Sequence, residues 1–216
     1  MILSLERGIY LASRSPRRRE LLAQIDVRFH LLLFRARPGQ DLEVDETPLA
    51  GEAAEAYVER VARAKAESGW RRMMQRNLPR APVLSADTTV SVDGRILGKP
   101  ASREEAAAML ASLSGREHEV LTAVALKHDD WLESVVSRSE VRFKKLAAAE
   151  IAGYVESGES DDKAGAYAIQ GRAARFIVEL RGSYSGVVGL PLYETAMLLE
   201  RIAAPVRTAP AAARRA

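Results

Sequence analysis

The pair Asp93-Gly94 is the feature that most constrains the fold of this chain of 216 residues. It separates two short runs of β-forming residues, 90–92 and 95–97, and an Asp-Gly pair between such runs is a strong signal for a β-hairpin. Elsewhere along the chain, helical patterns separate the strand signals. Hairpins combined with helices between strands imply a mixed sheet, so we predict an α/β fold with a twisted mixed sheet flanked by helices.

The spacing of apolar residues predicts the remaining elements. The predicted strands cover residues 9–12, 83–86, 120–127 and 135–143. The predicted helices cover residues 52–68, 103–113 and 147–157, the last closed by Gly158. A further helix begins at Pro16, with Ser15 as its N-cap, and the final helix begins near Pro191.

The composition is that of a soluble globular protein, with 47% hydrophobic and 28% charged residues. The chain has no cysteine, which excludes disulfides, thiolate metal sites and a thiol nucleophile. No apolar run reaches the roughly 18–20 residues that span a bilayer, and Glu6 and Arg7 interrupt the apolar N-terminal segment. We therefore expect no membrane segment and no signal peptide.

The formal net charge of +3 is concentrated at the C-terminal end, where Arg207, Arg214 and Arg215 stand without an acidic residue. The rest of the chain is neutral, which argues against a stable nucleic-acid partner. We expect a single domain over residues 1–202. Residues 203–216 are rich in Ala, Pro and Arg, and such a composition buries too little apolar surface to offset the entropy of ordering, so we expect a flexible tail.

Four arginines and two hydroxyl groups stand where the first strand meets the first helix, in Ser13-Arg14-Ser15-Pro16-Arg17-Arg18-Arg19. Free backbone N–H groups and the helix dipole favour an anion there, and guanidinium groups match phosphate oxygens. A polyphosphate is the ligand that suits this segment. A solvated basic first turn is the alternative, and a localisation or phosphorylation motif is a weaker one.

Other candidate groups carry a weaker signal each. Asp87 follows a predicted buried strand, and strand ends gather ligands in α/β sheets, but a structural aspartate is the commoner case. Lys99 follows the hairpin and could meet phosphate or simply occupy a turn. Glu43, Asp45 and Glu46 offer oxygen ligands for magnesium or manganese, or form a solvated acidic loop.

Two stretches of small residues, 163–171 and 182–191, are further candidates for contact with a ligand. Small residues let the backbone approach a ligand closely, but they also form tight packing turns. The sequence alone leaves both interpretations open.

Seven motifs occur here in the order known from one family: LASRSPRRRELL, EVDETPLAGE, ARAKA, LSADTTVSVDGRILGKP, LSGREHEVLTAVAL, SDDKAGAYAIQGRAARFI and GSYSGVVGLPLYET. With them the chain resembles, from Ile9 to about Ile202, the Maf-like nucleotide pyrophosphatases, which are related in fold to the inosine triphosphate pyrophosphatases. The resemblance implies that architecture, and hydrolysis of a nucleoside triphosphate between its α and β phosphates, with Mg²⁺ or Mn²⁺ as the divalent metal.

The resemblance also implies roles for individual residues. Asp87 would be the general base for the attacking water. Arg18, Lys65 and Lys99 would hold phosphates, with Ser13 in the same substrate-binding segment. Glu46 would help to hold the metal. Such a set suits phosphoryl transfer, because that chemistry depends mostly on positioning and charge neutralisation.

Three motif positions separate the two common subgroups of the family. The subgroup resembling dTTP/UTP pyrophosphatases has Arg, Thr and Gln there, and the 7-methyl-GTP subgroup has Trp, Gln and Glu. This chain has Arg17, Thr88 and Gln170, which favours dTTP and UTP. It departs from the family pattern in a longer segment between Phe29 and Val44.

The leading hypothesis is therefore a cytoplasmic dTTP/UTP pyrophosphatase that cleanses the nucleotide pool and accepts modified pyrimidine nucleotides as further substrates. The alternatives are a 7-methyl-GTP pyrophosphatase of the same family and a non-catalytic nucleotide-binding regulator of cell division. A nucleic-acid-binding module is disfavoured by the neutral body of the chain. The resemblance also implies a homodimer.

Overall fold

The computed structural model describes residues 8–33 and 44–203. Its strands are β1 Ile9–Leu11, β2 Phe29–Leu31, β3 Val83–Val92, β4 Arg95–Leu97, β5 Glu117–His128, β6 Trp131–Phe143 and β7 Ile177–Arg181. Its α-helices are α1 Pro16–Gln24, α2 Ala54–Gln75, α3 Arg103–Leu113, α4 Ala148–Glu156, α5 Tyr184–Val188 and α6 Leu192–Ala203. Two 3₁₀ turns, Ala164–Ala166 and Arg172–Phe176, lie between α4 and β7.

The seven strands form one mixed sheet, in the order β2-β1-β3-β5-β6-β7 with β4 paired to β3. Strand β1 runs parallel to both β2 and β3, and every other pair is antiparallel. The predicted α/β fold with a mixed sheet is confirmed. So is the hairpin, in which Asp93 and Gly94 have φ angles of 50° and 73°, as a two-residue turn between twisted strands requires.

The predicted end of the second strand at Asp87 is wrong. Residues 83–92 form one continuous strand, and Asp87 lies in its middle. The reason is tertiary: β5 pairs with β3 from Val83 to Ser91, so the polar run Asp87-Thr88-Thr89 keeps a hydrogen-bonded neighbour that the local sequence does not reveal. Thus Asp87 is not at the carboxyl end of a strand.

Among the described strands, the opposite edge of β3 is paired at its two ends only. Strand β1 pairs with Val83 and Leu84, and β4 pairs with residues 90–92. Between these partners, residues 85–89 of β3 have a strand neighbour on the β5 side only. The sheet therefore has a gap beside the centre of β3, and Asp87 and Thr88 lie at this gap.

Helix α2 continues seven residues beyond the predicted end at residue 68. Gly69, which would suggest a helix end, is buried against β3, and a Cβ atom there would lie 2.8 Å from Val83 Cγ1. The glycine lets the helix approach the sheet closely, and Met73 continues the buried face one turn later. Close packing on the sheet overrides the local helix-ending signal.

Several smaller differences have the same kind of cause. Strands β5 and β6 are longer than predicted because they pair with each other from Glu117 to His128. Strands β2 and β7 and helix α5 were not predicted at all.

Ser15 does stand at the N-cap of α1, but its side chain makes no capping hydrogen bond. Instead its backbone N–H donates to Ser13 Oγ at 3.2 Å.

Apolar clusters cover both faces of the sheet. Helix α2 packs Tyr57, Val58 and Val61 against the central residues of β5. Helices α1 and α6 lie against Leu84, Val124 and Leu126 in a second cluster. Its buried residues are Ile9, Leu11, Leu21, Leu22, Val27, Leu84, Ala86, Val124, Leu126, Val188, Leu190, Leu198 and Leu199. Residues of α3 and α4 form a third cluster with the hairpin end of β3. These layers fix the elements that border the gap.

Some expectations concern residues that the structure does not describe. The predicted tail lies outside the described residues except for Ala203, and most of the longer segment between Phe29 and Val44 also lies outside them. Within residues 8–33 and 44–203, no helix is long and apolar enough to cross a membrane.

Candidate active site

A cleft of about 1540 Å³ opens at the gap beside β3. Its walls come from the start of α1, the loop before α2, the centre of β3, the end of β4 and the loop after α4. All nine site residues suggested by the sequence line it: Ser13, Arg17, Arg18, Glu46, Lys65, Asp87, Thr88, Lys99 and Gln170. The structure therefore brings together groups that are up to 157 positions apart in the chain.

The centre of the cleft holds one lysine between two carboxylates. Lys65 Nζ lies 2.6 Å from Glu46 Oε1 and 2.9 Å from Asp87 Oδ1. Side chains alternate along a strand, so Asp87 shares with Ser85 the face of β3 that meets α2; Ser85 Oγ donates to the carbonyl of Ala62 at 2.6 Å. This helix–strand contact places Lys65 opposite Asp87.

The two carboxylates determine the ionisation of this lysine. Burial alone would lower the pKa of Lys65, but the charges of Asp87 and Glu46 outweigh burial and raise it. Burial alone would raise the pKa of Glu46. The charges of Lys65 and Lys99 outweigh the effect of burial, so the pKa of Glu46 is lowered. At neutral pH Lys65 is protonated and Glu46 is ionised.

Arg18 is held in a fixed position by protein groups. Its Nε donates to the carbonyl of Gly189 at 2.8 Å, and its two terminal nitrogens donate to Ser13 Oγ and Thr88 Oγ1, each at 3.3 Å. Burial lowers the pKa of Arg18, with partial compensation from the charge of Asp87. Guanidinium groups stay protonated in proteins, so Arg18 presents a fixed positive charge to the cleft.

The hydroxyl group of Thr88 belongs to a chain of hydrogen bonds. Thr88 Oγ1 lies 3.0 Å from Thr122 Oγ1, and Thr122 Oγ1 donates to the carbonyl of Gly186 at 2.7 Å. Because the Thr122 proton is used on that carbonyl, Thr88 donates to Thr122 and accepts from Arg18. Thr122, which sequence reasoning missed, thus supports both Thr88 and Arg18, and only its burial in a strand could have marked it.

Three cations line the cleft without an ion pair to any residue of the described ranges: Arg17, Lys99 and Lys163. Burial lowers the pKa of Lys163, and the charge of Arg17 lowers it further, with partial compensation from Asp162 and Asp161. Burial also lowers the pKa of Arg17. Mutual repulsion of partly buried cations favours an anion between them. Lys163, a basic residue in a small-residue stretch, had no role in the sequence analysis.

The loop that carries Lys163 and Gln170 is fixed to the hairpin. Gly165 N–H donates to the carbonyl of Gly98 at 3.1 Å, next to Lys99. Gly165 has a φ of 66°, and a Cβ atom there would lie 2.8 Å from Val90 Cγ2, so only glycine fits. This glycine serves tight packing, which was one of the two interpretations of the small-residue stretches. Gln170 remains exposed at the edge of the cleft.

The donor set fits a divalent metal that is shared with a substrate. Glu46 and Asp87 converge on one positive charge, Lys65 Nζ. Within the described part of the chain, no group of three or more acidic, histidine or cysteine side chains converges. Mg²⁺ is commonly bound through one or two carboxylates, with substrate phosphate oxygens and water as its other ligands. Two carboxylates beside unpaired cations suit that arrangement better than a site made of protein ligands alone. Glu43, the third member of the acidic cluster, lies outside the described residues.

Two relatives named dTTP/UTP pyrophosphatase match most of this chain. A relative from Aromatoleum aromaticum, named dTTP/UTP pyrophosphatase, is 58% identical over 203 residues, which is 94% of this chain and 98% of the relative. A relative from Nitrosomonas europaea with the same name is 55% identical and covers 89% of this chain and 93% of its own.

A solved structure of the Staphylococcus aureus Ham1 protein matches with a TM-score of 0.41 and 19% identity, over 65% of this chain and 72% of that one. The family model described as Maf-like protein matches residues 8–202. The chain belongs to the Maf-like family.

Proposed function

We propose that this protein is a nucleoside triphosphate pyrophosphatase that hydrolyses dTTP and UTP between the α and β phosphates. The observation that carries the proposal is the contact of Lys65 with both Asp87 and Glu46 in a cleft lined by unpaired cations. The substrate follows from the relatives at 55–58% identity, which are named dTTP/UTP pyrophosphatases.

The phosphate chain binds mainly to three cations that form no ion pair with a described residue. Arg18 already donates to Gly189, Ser13 and Thr88, and Lys65 is neutralised by two carboxylates. Arg17, Lys99 and Lys163 form no ion pair in the described ranges, and Lys163 Nζ uses one donor on the carbonyl of Asp161 at 3.1 Å, so the phosphate oxygens fill the space between the three cations. Arg18 and Lys65 then add fixed positive charge close to the reacting phosphorus.

Glu46 and Asp87 are the residues that would hold a divalent metal, together with substrate oxygens. When bound, Mg²⁺ or Mn²⁺ supplies charge neutralisation for the phosphates. Asp87 accepts the proton of the attacking water. The water oxygen forms a bond to one of the two phosphorus atoms that flank the bridging oxygen, and that phosphorus loses its bond to the bridge. The products are the nucleoside monophosphate and pyrophosphate, so one water is consumed for each triphosphate.

The base is recognised at the edge of the cleft. Gln170 is exposed there, and its amide can pair with the fixed donor and acceptor pattern of a pyrimidine ring. The hydroxyl of Thr88 is occupied by Arg18 and Thr122, so Thr88 acts on selectivity by placing Arg18. A side chain longer than threonine at position 88 would displace this arginine.

The biological setting completes the proposal. We expect a homodimer in the cytoplasm whose activity removes dTTP, UTP and modified pyrimidine triphosphates from the nucleotide pool. Sedimentation of the purified chain tests the oligomeric state, and fractionation of cells that produce it tests the location.

A panel of substrates tests the activity. Pyrophosphate release is measured from dTTP, UTP, CTP, GTP, ATP and 7-methyl-GTP with Mg²⁺ or Mn²⁺, with Asp87→Asn as control. Faster release from dTTP and UTP than from the others, lost in Asp87→Asn, supports the proposal. A preference for 7-methyl-GTP would overturn the proposed selectivity. Binding of nucleotides without turnover would overturn the enzymatic function.

A further inference from the structure

Three consecutive carbonyl groups in the loop that carries Glu46 are each bound by a side chain of α2. Arg60 donates through one terminal nitrogen to the carbonyl of Asp45 at 3.3 Å and through the other to the carbonyl of Thr47 at 3.1 Å. Between them, the hydroxyl of Tyr57 donates to the carbonyl of Glu46 at 2.9 Å. The backbone on both sides of the Glu46 side chain is therefore fixed to one face of the helix.

Arg60 is itself fixed by a second acidic residue. Its Nε and one terminal nitrogen bind the two carboxylate oxygens of Glu52 at 2.6 and 2.8 Å, a bidentate geometry that only arginine can make. Glu52 also accepts from the backbone N–H of Leu49 at 2.9 Å, which closes the loop on itself. The guanidinium lies 5.6 Å from the centre of the Tyr57 ring, so the two α2 residues also contact each other.

The ionisation of Glu52 keeps this arrangement intact at neutral pH. The hydrogen bond from Arg60 and the backbone hydrogen bond from Leu49 lower the pKa of Glu52 to about 2. A lowered carboxyl pKa contributes stability above its usual value and loses it as the pH falls towards 2. The ion pair is thus complete across the pH range in which enzymes are normally assayed.

The Glu46 side chain has little else to hold it. The side chain is 32% exposed and its carboxylate contacts Lys65, and it makes no other hydrogen bond or ion pair with the described side chains. A metal ion bound by Glu46 would take the place of Lys65 beside its carboxylate. The backbone contacts with Tyr57 and Arg60 would then determine where the Glu46 carboxylate lies.

We infer that Tyr57 and Arg60 are positioning residues that place Glu46 for the metal, with Glu52 fixing Arg60. The inference rests on the proposed function, because it assigns Glu46 to the metal that accompanies the nucleotide. Residues that orient a metal ligand typically change metal affinity or activity by about 10–100-fold when they are replaced. Arg60 and Glu52 are not among the residues that line the cleft, so they act on Glu46 through the loop, whereas Tyr57 lines the cleft and binds the carbonyl of Glu46.

The test compares Tyr57→Phe and Arg60→Lys with a matched control, Arg63→Lys. Arg63 lies on the same helix but donates to Ser134 on β6 at 2.9 Å, away from the loop. Tyr57→Phe keeps the buried ring and removes the hydroxyl alone. Arg60→Lys keeps the charge and loses the bidentate contact. The direct readout is Mn²⁺ binding, followed by electron paramagnetic resonance, in the presence of a dTTP analogue with a methylene group between the α and β phosphorus atoms.

We expect Tyr57→Phe and Arg60→Lys to weaken Mn²⁺ binding about tenfold, while Arg63→Lys binds as the original protein does. We also expect kcat at saturating Mn²⁺ to change less than the Mn²⁺ concentration at half activity. Unchanged Mn²⁺ binding in Tyr57→Phe would overturn the inference, even if Arg60→Lys fails to fold. If the original protein neither binds Mn²⁺ with the analogue nor hydrolyses dTTP, the proposed function itself fails.

Discussion

Replacing Lys65 by methionine tests the electrostatic centre of the site. Lys65 and Asp87 are 14% and 11% exposed, and both carboxylates contact the same Nζ atom. Removing one partner of a buried ion pair costs about 3–5 kcal/mol of stability. Because Glu46 is 32% exposed, water screens part of this cost, and we expect a loss of about 2–3 kcal/mol at pH 7. Methionine keeps most of the side-chain volume, so the cavity contribution is small.

The loss depends on pH in a defined direction. In the original protein the pKa of Glu46 is lowered, so its contribution to stability is present above the usual carboxyl pKa and is lost as the pH falls below it. In Lys65→Met, burial still raises the pKa of Glu46 while the lowering effect of Lys65 is lost, so ionised Glu46 contributes less stability at neutral pH. The difference in unfolding free energy between the two proteins therefore shrinks from pH 7 towards pH 4.

Urea unfolding in EDTA at pH 7 and pH 5 measures this difference, after reversibility has been checked. The double variant Glu46→Gln, Lys65→Met removes one of the two carboxylate charges and should recover about half of the loss. A loss below about 0.5 kcal/mol that is the same at both pH values would refute the reasoning, since surface pairs behave in that way.

Three other predictions concern the walls of the cleft. Thr122→Val removes the acceptor of Thr88, so we expect the KM for dTTP to rise several-fold while urea unfolding shows a loss of only about 1–2 kcal/mol. Lys163→Gln should weaken inhibition by pyrophosphate about tenfold without changing the ratio of dTTP to CTP turnover; an altered ratio would place Lys163 at the base instead. Gly165→Ala should lower the unfolding free energy by about 2–4 kcal/mol, and more than Gly94→Ala, because both glycines have a positive φ but Gly94 has no atom within 4 Å of its Cβ position.

The sequence correctly predicted the elements whose ends are determined by neighbouring residues in the chain. Helix α3 occupies residues 103–113 as predicted, because Ser102 accepts a hydrogen bond from the backbone of Glu105 and acidic residues fill the first turn. The hairpin at Asp93-Gly94 was predictable for the same reason. By contrast, the length of β3 depends on its pairing with β5. The end of α2 depends on the contact of Gly69 with Val83. In both cases the partner lies far away in sequence.

The candidate site was predictable residue by residue but not as a geometry. The arginine segment could be interpreted from its own chemistry, Asp87 and Glu46 were weaker candidates, and the resemblance to the family gave them and Lys65 their roles. No sequence spacing shows that Glu46 and Asp87 meet at one lysine, because the three lie on a loop, a helix and a strand. Nor could the sequence show which cations are already occupied by protein groups.

The position of bond cleavage tests the central claim most directly. Phosphorus-31 nuclear magnetic resonance follows dTTP incubated with the protein and Mg²⁺, and separates pyrophosphate from orthophosphate and dTMP from dTDP. We expect dTMP and pyrophosphate in equal amounts from the original protein and neither product from Asp87→Asn. Formation of dTDP and orthophosphate, or equal rates in the two proteins, would contradict the account of this cleft as a site of cleavage between the α and β phosphates.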